Sequence, residues 1–160
     1  MFDTETLADS LFSQVRAALD EHTILIGIHA GGSVILDYLL KRLDIDVVAA
    51  SVDVSFHRDD FEIRGLAKNK QSTSIDVDIN DRHVILVDDV VHSGRTARAA
   101  VNELFDFGRP QSVRLAVLVD RGERELPIEP QFVGGLVEVP RNKRIEVRLD
   151  ENGGLVINVD

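Results

Sequence analysis

Val84-Ile-Leu-Val-Asp-Asp-Val-Val-His-Ser-Gly-Arg-Thr96 decides how the rest of this 160-residue chain is read. A continuous apolar run, starting at His83 and ending at Val91, is too short for a helix and does not alternate. Such runs suit a strand covered on both faces, as in a parallel sheet. From Gly94 to Phe107 the spacing switches to that of an amphipathic helix, which Gly108-Arg-Pro110 then ends. In open parallel sheets, ligands bind beyond the carboxyl ends of the strands, where Asp88 to Thr96 fall. Backbone amides at a helix N-terminus lack intrahelical partners, so Ser93, Gly94, Arg95 and Thr96 are suited to cradle a phosphate. Ser93 and Thr96 add hydroxyl donors, and Gly94 permits close backbone approach. Asp88 and Asp89 repel a phosphate but accept hydrogen bonds from adjacent sugar hydroxyls. Diol readers beside a phosphate cradle describe a ribose 5-phosphate site. The plainer alternative is an acid pair that caps a helix or faces solvent.

Working outward, Leu7, Leu11, Phe12, Val15, Ala18 and Leu19 place a helix over 4–21, with Thr4 as its N-cap. Thr23–His29 is a second doubly buried strand, broken by the turn Ala30-Gly31-Gly32-Ser33 before a helix from Val34 to Leu43. Strands follow over Val47–Phe56 and, beyond the central unit, Ser112–Val119, which runs into Asp120-Arg121-Gly122. Ser74–Ile79 alternates as an exposed strand would. The tail offers strand candidates at Phe132-Val133, Leu136–Val139, Ile145–Leu149 and Leu155–Val159 and no helix. The expected fold is α/β: an open, mostly parallel sheet flanked by helices, with a small β-rich C-terminal piece, in one domain over 1–160.

Charge and composition narrow the function. Lys and Arg number 18 against 28 Asp and Glu, a net charge of −10, which opposes nonspecific binding to nucleic acid. Zero cysteines exclude thiolate zinc sites, iron–sulfur clusters and a cysteine nucleophile. The acidic, polar start lacks the plan of a secretory signal and no apolar stretch is long enough to span a membrane, so the expected location is the cytoplasm. The histidines show no metal-ligand spacing, and no lysine follows the glycines of an ATP-binding P-loop.

VILVDDVVHSGRT resembles the phosphoribosyl-pyrophosphate (PRPP) signature of type I phosphoribosyltransferases. More closely, the chain is similar to the bifunctional pyrimidine operon regulator/uracil phosphoribosyltransferases, the PyrR-type family. The blocks that carry the likeness are Ile24–Ile28, Asp53-Val-Ser-Phe-His-Arg-Asp-Asp60, Val84–Thr96, Gly108-Arg-Pro110 and Leu115-Ala-Val-Leu-Val-Asp-Arg-Gly-Glu-Arg-Glu-Leu-Pro127. They span about 23–150 in the family's order.

The resemblance implies that PRPP, entering with Mg²⁺ held mainly through PRPP itself, reacts with uracil to give UMP and pyrophosphate. Asp88 and Asp89 would hold the ribose hydroxyls, and Val90, Val91, His92, Ser93, Gly94, Arg95 and Thr96 the 5-phosphate. Ala30, Gly31 and Gly32 would meet the pyrophosphate, and Arg121 would lie beside the base under a hood of about 131–160. A flexible loop of about 57–82, with Arg58, Arg64, Lys68 and Lys70, would close over PRPP. It also implies dimers or higher assemblies. A second activity would be UMP-dependent binding of pyrimidine-operon leader RNA. Arg141, Lys143, Arg144 and Arg148 are the candidates here, four cations against the single acid Glu146. Arg16, Arg109 and Arg114 would join them if the fold brings them near. Two alternatives stay open: a nucleotide-sensing RNA-binding regulator with weak catalysis, or a phosphoribosyltransferase for another base.

One departure stands out. Many members carry Thr-Arg-Gly in the pyrophosphate loop, where this chain has Ala30-Gly31-Gly32. Either a cation is lost from the diphosphate site, with His29 a weak replacement, or Gly31 serves an unusual backbone conformation.

Overall fold

The computed structural model describes residues 3–55 and 74–160. Helix α1 (Thr4–Ala18) is capped by Asp3 in place of Thr4: its Oδ1 accepts from the Thr6 amide at 3.2 Å and its Oδ2 from the Thr6 hydroxyl at 2.6 Å. The helix stops at Ala18 because Asp20 gathers the His22 amide and the Thr23 hydroxyl, each at 2.8 Å, and turns the chain into β1 (Thr23–His29).

Strands β1, β2 (Val48–Asp53), β3 (His83–Val91), β4 (Ser112–Asp120) and β5 (Phe132–Leu136) form one sheet in the order β2-β1-β3-β4-β5. All neighbours are parallel, with Ile26 opposite Ala50 on one side of β1 and Leu86 on the other. Helices α1 and α2 (Gly31–Arg42) cover one face, packing Leu11, Val15, Ile35 and Leu39 against Leu25, Ile85, Val87 and Leu118. Helix α3 (Arg95–Leu104) covers the other, placing Ala97, Ala100 and Leu104 on Ile24, Ile26, Val84 and Leu86. Neighbouring residues of one strand thus enter opposite cores, which is why the sequence of β1, β3 and β4 is apolar without alternation.

The chain moves one way from β1 to β2 and the other way from β3 to β5, so a switch point lies between β1 and β3. Sheets of this kind place ligands at such a point, beyond the strands' carboxyl ends. Strands β6 (Ile145–Leu149) and β7 (Leu155–Val159) pair antiparallel, Val147 facing Ile157, as a separate small sheet. They pack through Ile145, Val147 and Ile157 onto the α1–α2 side.

Other local expectations change as well. Helix α2 begins at Gly31, three residues before Val34. Ser74–Ile79 buries Ile79 and half-buries Ile75 and Val77, so its alternation is real. Among the described residues it pairs only at an isolated antiparallel bridge between Ser74 and Ser51 and is not a strand. In the tail, Phe132–Leu136 is the fifth strand of the main sheet, which ends there although the Val137 amide still donates to the Asp120 carbonyl at 2.9 Å.

Candidate functional site

The end of β3 turns into α3 through Val90 to Thr96, around a small cavity of about 80 Å³ bordered by Asp88 and by Ser93–Ala97. Gly94 makes the turn possible: its φ of 94° is left-handed, and a Cβ there would stand 2.9 Å from the Ile128 Cβ. As N-cap of α3 it brings no capping side chain, and the turn it makes borders the cavity. Ser93 Oγ accepts from the Arg95 amide at 3.2 Å, and the Arg95 guanidinium is drawn to Glu125 at 2.8 Å. That ion pair holds the Glu125 carboxyl below its usual range.

Asp88 is buried and Asp89 half-buried at the strand end. Asp88 Oδ1 accepts from the Asp89 amide and Asp89 Oδ1 from the Val90 amide, both at 2.8 Å, which ties each carboxylate to the strand's own backbone; Asp88 borders the small cavity and Asp89 stands against Gly31. Across the switch point stand Ala30, Gly31 and Gly32, not as a loop but as the N-cap and first turn of α2, again without a capping side chain. A Cβ on Gly31 would overlap the Asp89 carboxylate, and one on Gly32 would overlap the Val87 carbonyl oxygen. Gly31 has no left-handed φ, and the group a Cβ there would meet is the end of the Asp89 side chain.

Beyond β4, Asp120 to Glu123 and Leu136 to Val139 border a larger open cavity of about 430 Å³. Arg121 lies on it, but its guanidinium turns to the tail, donating to the carbonyls of Lys143 at 3.0 Å and Pro140 at 3.2 Å. Glu123, at a φ of 59°, is paired with Arg141 at 2.8 Å. Arg141's hydrogen bond and charge lower the Glu123 carboxyl. Leu136 is 79% exposed at this rim, an unusual position for a large apolar side chain.

Residues 3–151 match the family described as "Phosphoribosyl transferase domain". "Bifunctional protein PyrR" of Pseudomonas paraeruginosa is 43% identical over 145 residues, covering 88% of this chain and 85% of the relative. The protein of the same name from Ralstonia nicotianae is 39% identical over 158 residues, 94% and 88% of the two chains. The chain belongs to the PyrR group of phosphoribosyltransferases. Its fold is also that of a hypoxanthine-guanine phosphoribosyltransferase from Bacillus anthracis, with a TM-score of 0.68 at 23% identity over 89% of this chain and 84% of that one. A hypoxanthine phosphoribosyltransferase from Trypanosoma cruzi gives 0.67 at 18% identity over 98% and 92%.

Within this PyrR-group chain, the sequence-derived residues fall into separate sets. Asp88, Asp89, the turn to Thr96 and Ala30–Gly32 meet at the switch point. Arg58, Arg64, Lys68 and Lys70 lie outside the described residues. Arg141 is exposed beside Glu123, Lys143 and Arg144 are exposed in the same turn, and Arg148 is exposed on β6. The other three cations do not gather with them. Arg16 is paired with Asp44, Arg114 lies over the Phe132 ring at 5.2 Å, and Arg109 sits by Asn80 and Asp81 at the amino end of the sheet. No described helix is long and apolar enough to cross a membrane.

Sequence reasoning missed Arg124. It makes a two-pronged pair with Asp120, Nη1 to Oδ1 at 2.9 Å and Nη2 to Oδ2 at 2.6 Å. Burial pushes the Asp120 carboxyl up, but hydrogen bonds from Arg124 and the Gly122 amide, with the guanidinium charge, outweigh it and leave it low. The only signal was Arg124 four residues after Asp120 in the Asp-Arg-Gly-Glu-Arg-Glu-Leu-Pro block.

Proposed function

We propose that this chain transfers the 5-phosphoribosyl group of PRPP to uracil, forming UMP and diphosphate. The observation that carries the reading is the meeting, at the β1–β3 switch point, of one acid pair and two helix N-termini whose N-cap residues bring no capping side chain. The α3 end takes the 5-phosphate, the α2 end the diphosphate, and Asp88 and Asp89 the ribose hydroxyls between them. The base enters the larger cavity, where Leu136, Val137 and Val139 offer apolar contact to a flat ring. The PyrR relatives support uracil as that base.

Mg²⁺ enters with PRPP as part of the substrate. Among the described residues no cluster of three or more His, Cys, Asp or Glu is built to hold a metal, while the oxygen donors of Asp88 and Asp89 suit an ion that shares its shell with diphosphate and water. Bound with PRPP, the ion would supply neutralisation of charge on the departing diphosphate. The chain's own part is positioning. Amides at the start of α2 receive the leaving group, and the acid pair fixes the ribose so that C1 faces uracil N1. The C1–oxygen bond to diphosphate breaks, the C1–N1 bond forms, and the N1 proton is released.

Diphosphate release from PRPP and Mg²⁺, measured against a panel of uracil, hypoxanthine, guanine and orotate, tests this directly. Release is expected with uracil alone, and loss of about a hundredfold or more in the Asp88→Asn/Asp89→Asn double variant. Turnover of another base would replace uracil, and undiminished activity in the double variant would overturn the site.

A second activity has its own supporting observation. The basic turn at Arg141–Arg144 is bound to the base cavity through Arg121 and through the Glu123–Arg141 pair. We infer that this turn and Arg148 bind pyrimidine leader RNA when UMP fills the site. A gel shift that fails at low salt with UMP present would remove this activity and leave the first intact.

A further inference from the structure

The Arg124 guanidinium has five N–H donors, and the structure gives each an acceptor inside the chain. Two go to Asp120, Nε goes to the Ile128 carbonyl at 2.7 Å, Nη1 also to the His92 carbonyl at 3.0 Å, and Nη2 also to Glu129 at 3.2 Å. The side chain is 14% exposed and its Asp120 partner 9%. A guanidinium so occupied does not bind a ligand; it holds something else in place.

What it holds is the back of the phosphate turn. A trans peptide is planar, so its N–H points opposite to its own carbonyl. Fixing the His92 carbonyl on Arg124 therefore turns the Ser93 amide away from the 120–129 segment. The next peptide is fixed in the same way, because the Ser93 carbonyl accepts from the Glu125 amide at 2.9 Å and the Leu126 amide at 3.1 Å. Gly94 is pressed onto Ile128 and Leu126 on that same side. Two successive amides thus face away from the segment, at the turn that borders the 80 Å³ cavity.

We propose that Arg124 is a positioning residue for the phosphate cradle, aiming the Ser93 amide through the His92 carbonyl and tying that aim, through Asp120, to the wall of the base cavity. This rests on the reading of Ser93–Thr96 as the cradle. Lysine cannot replace it: three donors without a planar fork do not serve Asp120, His92 and Ile128 together.

The test uses the full chain and two probes, ribose 5-phosphate for the α3 end and diphosphate for the α2 end, each titrated by calorimetry and by amide NMR. In Arg124→Lys, affinity for ribose 5-phosphate is expected to fall about tenfold or more, while affinity for diphosphate stays within about twofold. The ligand-induced shifts of the Ser93 and Gly94 amides should shrink with it, and in turnover KM for PRPP should rise more than kcat falls. A merely structural role would weaken both probes together in step with the melting temperature. That outcome, or unchanged ribose 5-phosphate binding, would overturn the proposal. Should Arg124→Lys not fold, Asp120→Asn loosens the same fork and is judged by the same criteria. If the native chain binds no ribose 5-phosphate, the cradle reading fails first. If it binds and the variants bind equally, only Arg124's role fails.

Discussion

The Asp89 carboxylate occupies the space where a β-carbon on Gly31 would stand. This approach joins the end of β3 to the first turn of α2 across the switch point, and it is made by a glycine without a left-handed φ. The family resemblance implies arginine at the matching place in many members. Here the position holds no side chain, and the Asp89 carboxylate lies directly against it. The end of β3 and the start of α2 are therefore packed as a single unit.

Restoring a cation at this position should harm the enzyme. Both Gly31→Ala and Gly31→Arg push on the end of the Asp89 side chain, whose Oδ1 accepts from the Val90 amide at 2.8 Å. A hydrogen bond to a charged group is worth about 1.5–3 kcal/mol, so PRPP affinity should drop by about tenfold or more in both variants. Steady-state KM for PRPP reads this. A Gly31→Arg variant that binds PRPP more tightly would show that the missing arginine, not the packing, limits the native chain.

Gly94 makes a second, sharper demand. Its φ of 94° disfavours any side chain, and a Cβ would press on the branched Ile128 Cβ at 2.9 Å, a carbon with little room to move. Gly94→Ala should cost about 2 kcal/mol in urea unfolding and weaken 5-phosphate binding, because the cradle turn must open to accommodate it. Equal stability with native binding would mean that the turn relaxes without cost.

How far the sequence alone reveals these features depends on the range of each interaction. β1, β3 and β4 are legible because a strand buried on both faces records its surroundings in its own composition. The acid pair and the Ser93–Thr96 turn are likewise local, one strand end and one helix start. The start of α2 is hidden because Gly31-Gly32 reads as a breaker, and only the nearness of Val87 and Asp89 explains glycine inside a helix. The 74–79 segment shows its burial pattern truthfully, but a pairing partner is not written in a single segment. Arg124 leaves almost no trace, since one of its acceptors, the His92 carbonyl, lies 32 positions away.

Attachment to RNA should be graded by charge. Lys143 and Arg148 are exposed and contribute to the basic edge of the tail. On single-stranded RNA, removing one phosphate-binding cation should lower the slope of log affinity against log salt by about 0.7. Lys143→Ala and Arg148→Ala, measured by filter binding with UMP from low to physiological salt, should each show about that change, and together about twice it. Slopes that match the native chain would place the RNA surface elsewhere.

The pair of Asp120 and Arg124 sets an acid limit on stability. Asp120's carboxyl is held below its unfolded value of 3.8. A depressed acid contributes its stability above the unfolded pKa and loses it as the pH falls through the lower folded value. Breaking one partner of a buried pair leaves the other charge without compensation, which costs about 3–5 kcal/mol. Asp120→Asn should therefore be less stable than the native chain by about 3 kcal/mol near pH 7, and the gap should hold down to about pH 4 and close below it. Urea midpoints measured from pH 7 to 2 for both proteins check this. A gap that stays constant to pH 2 would mean that the loss reflects packing alone, with no contribution from the ionised carboxylate.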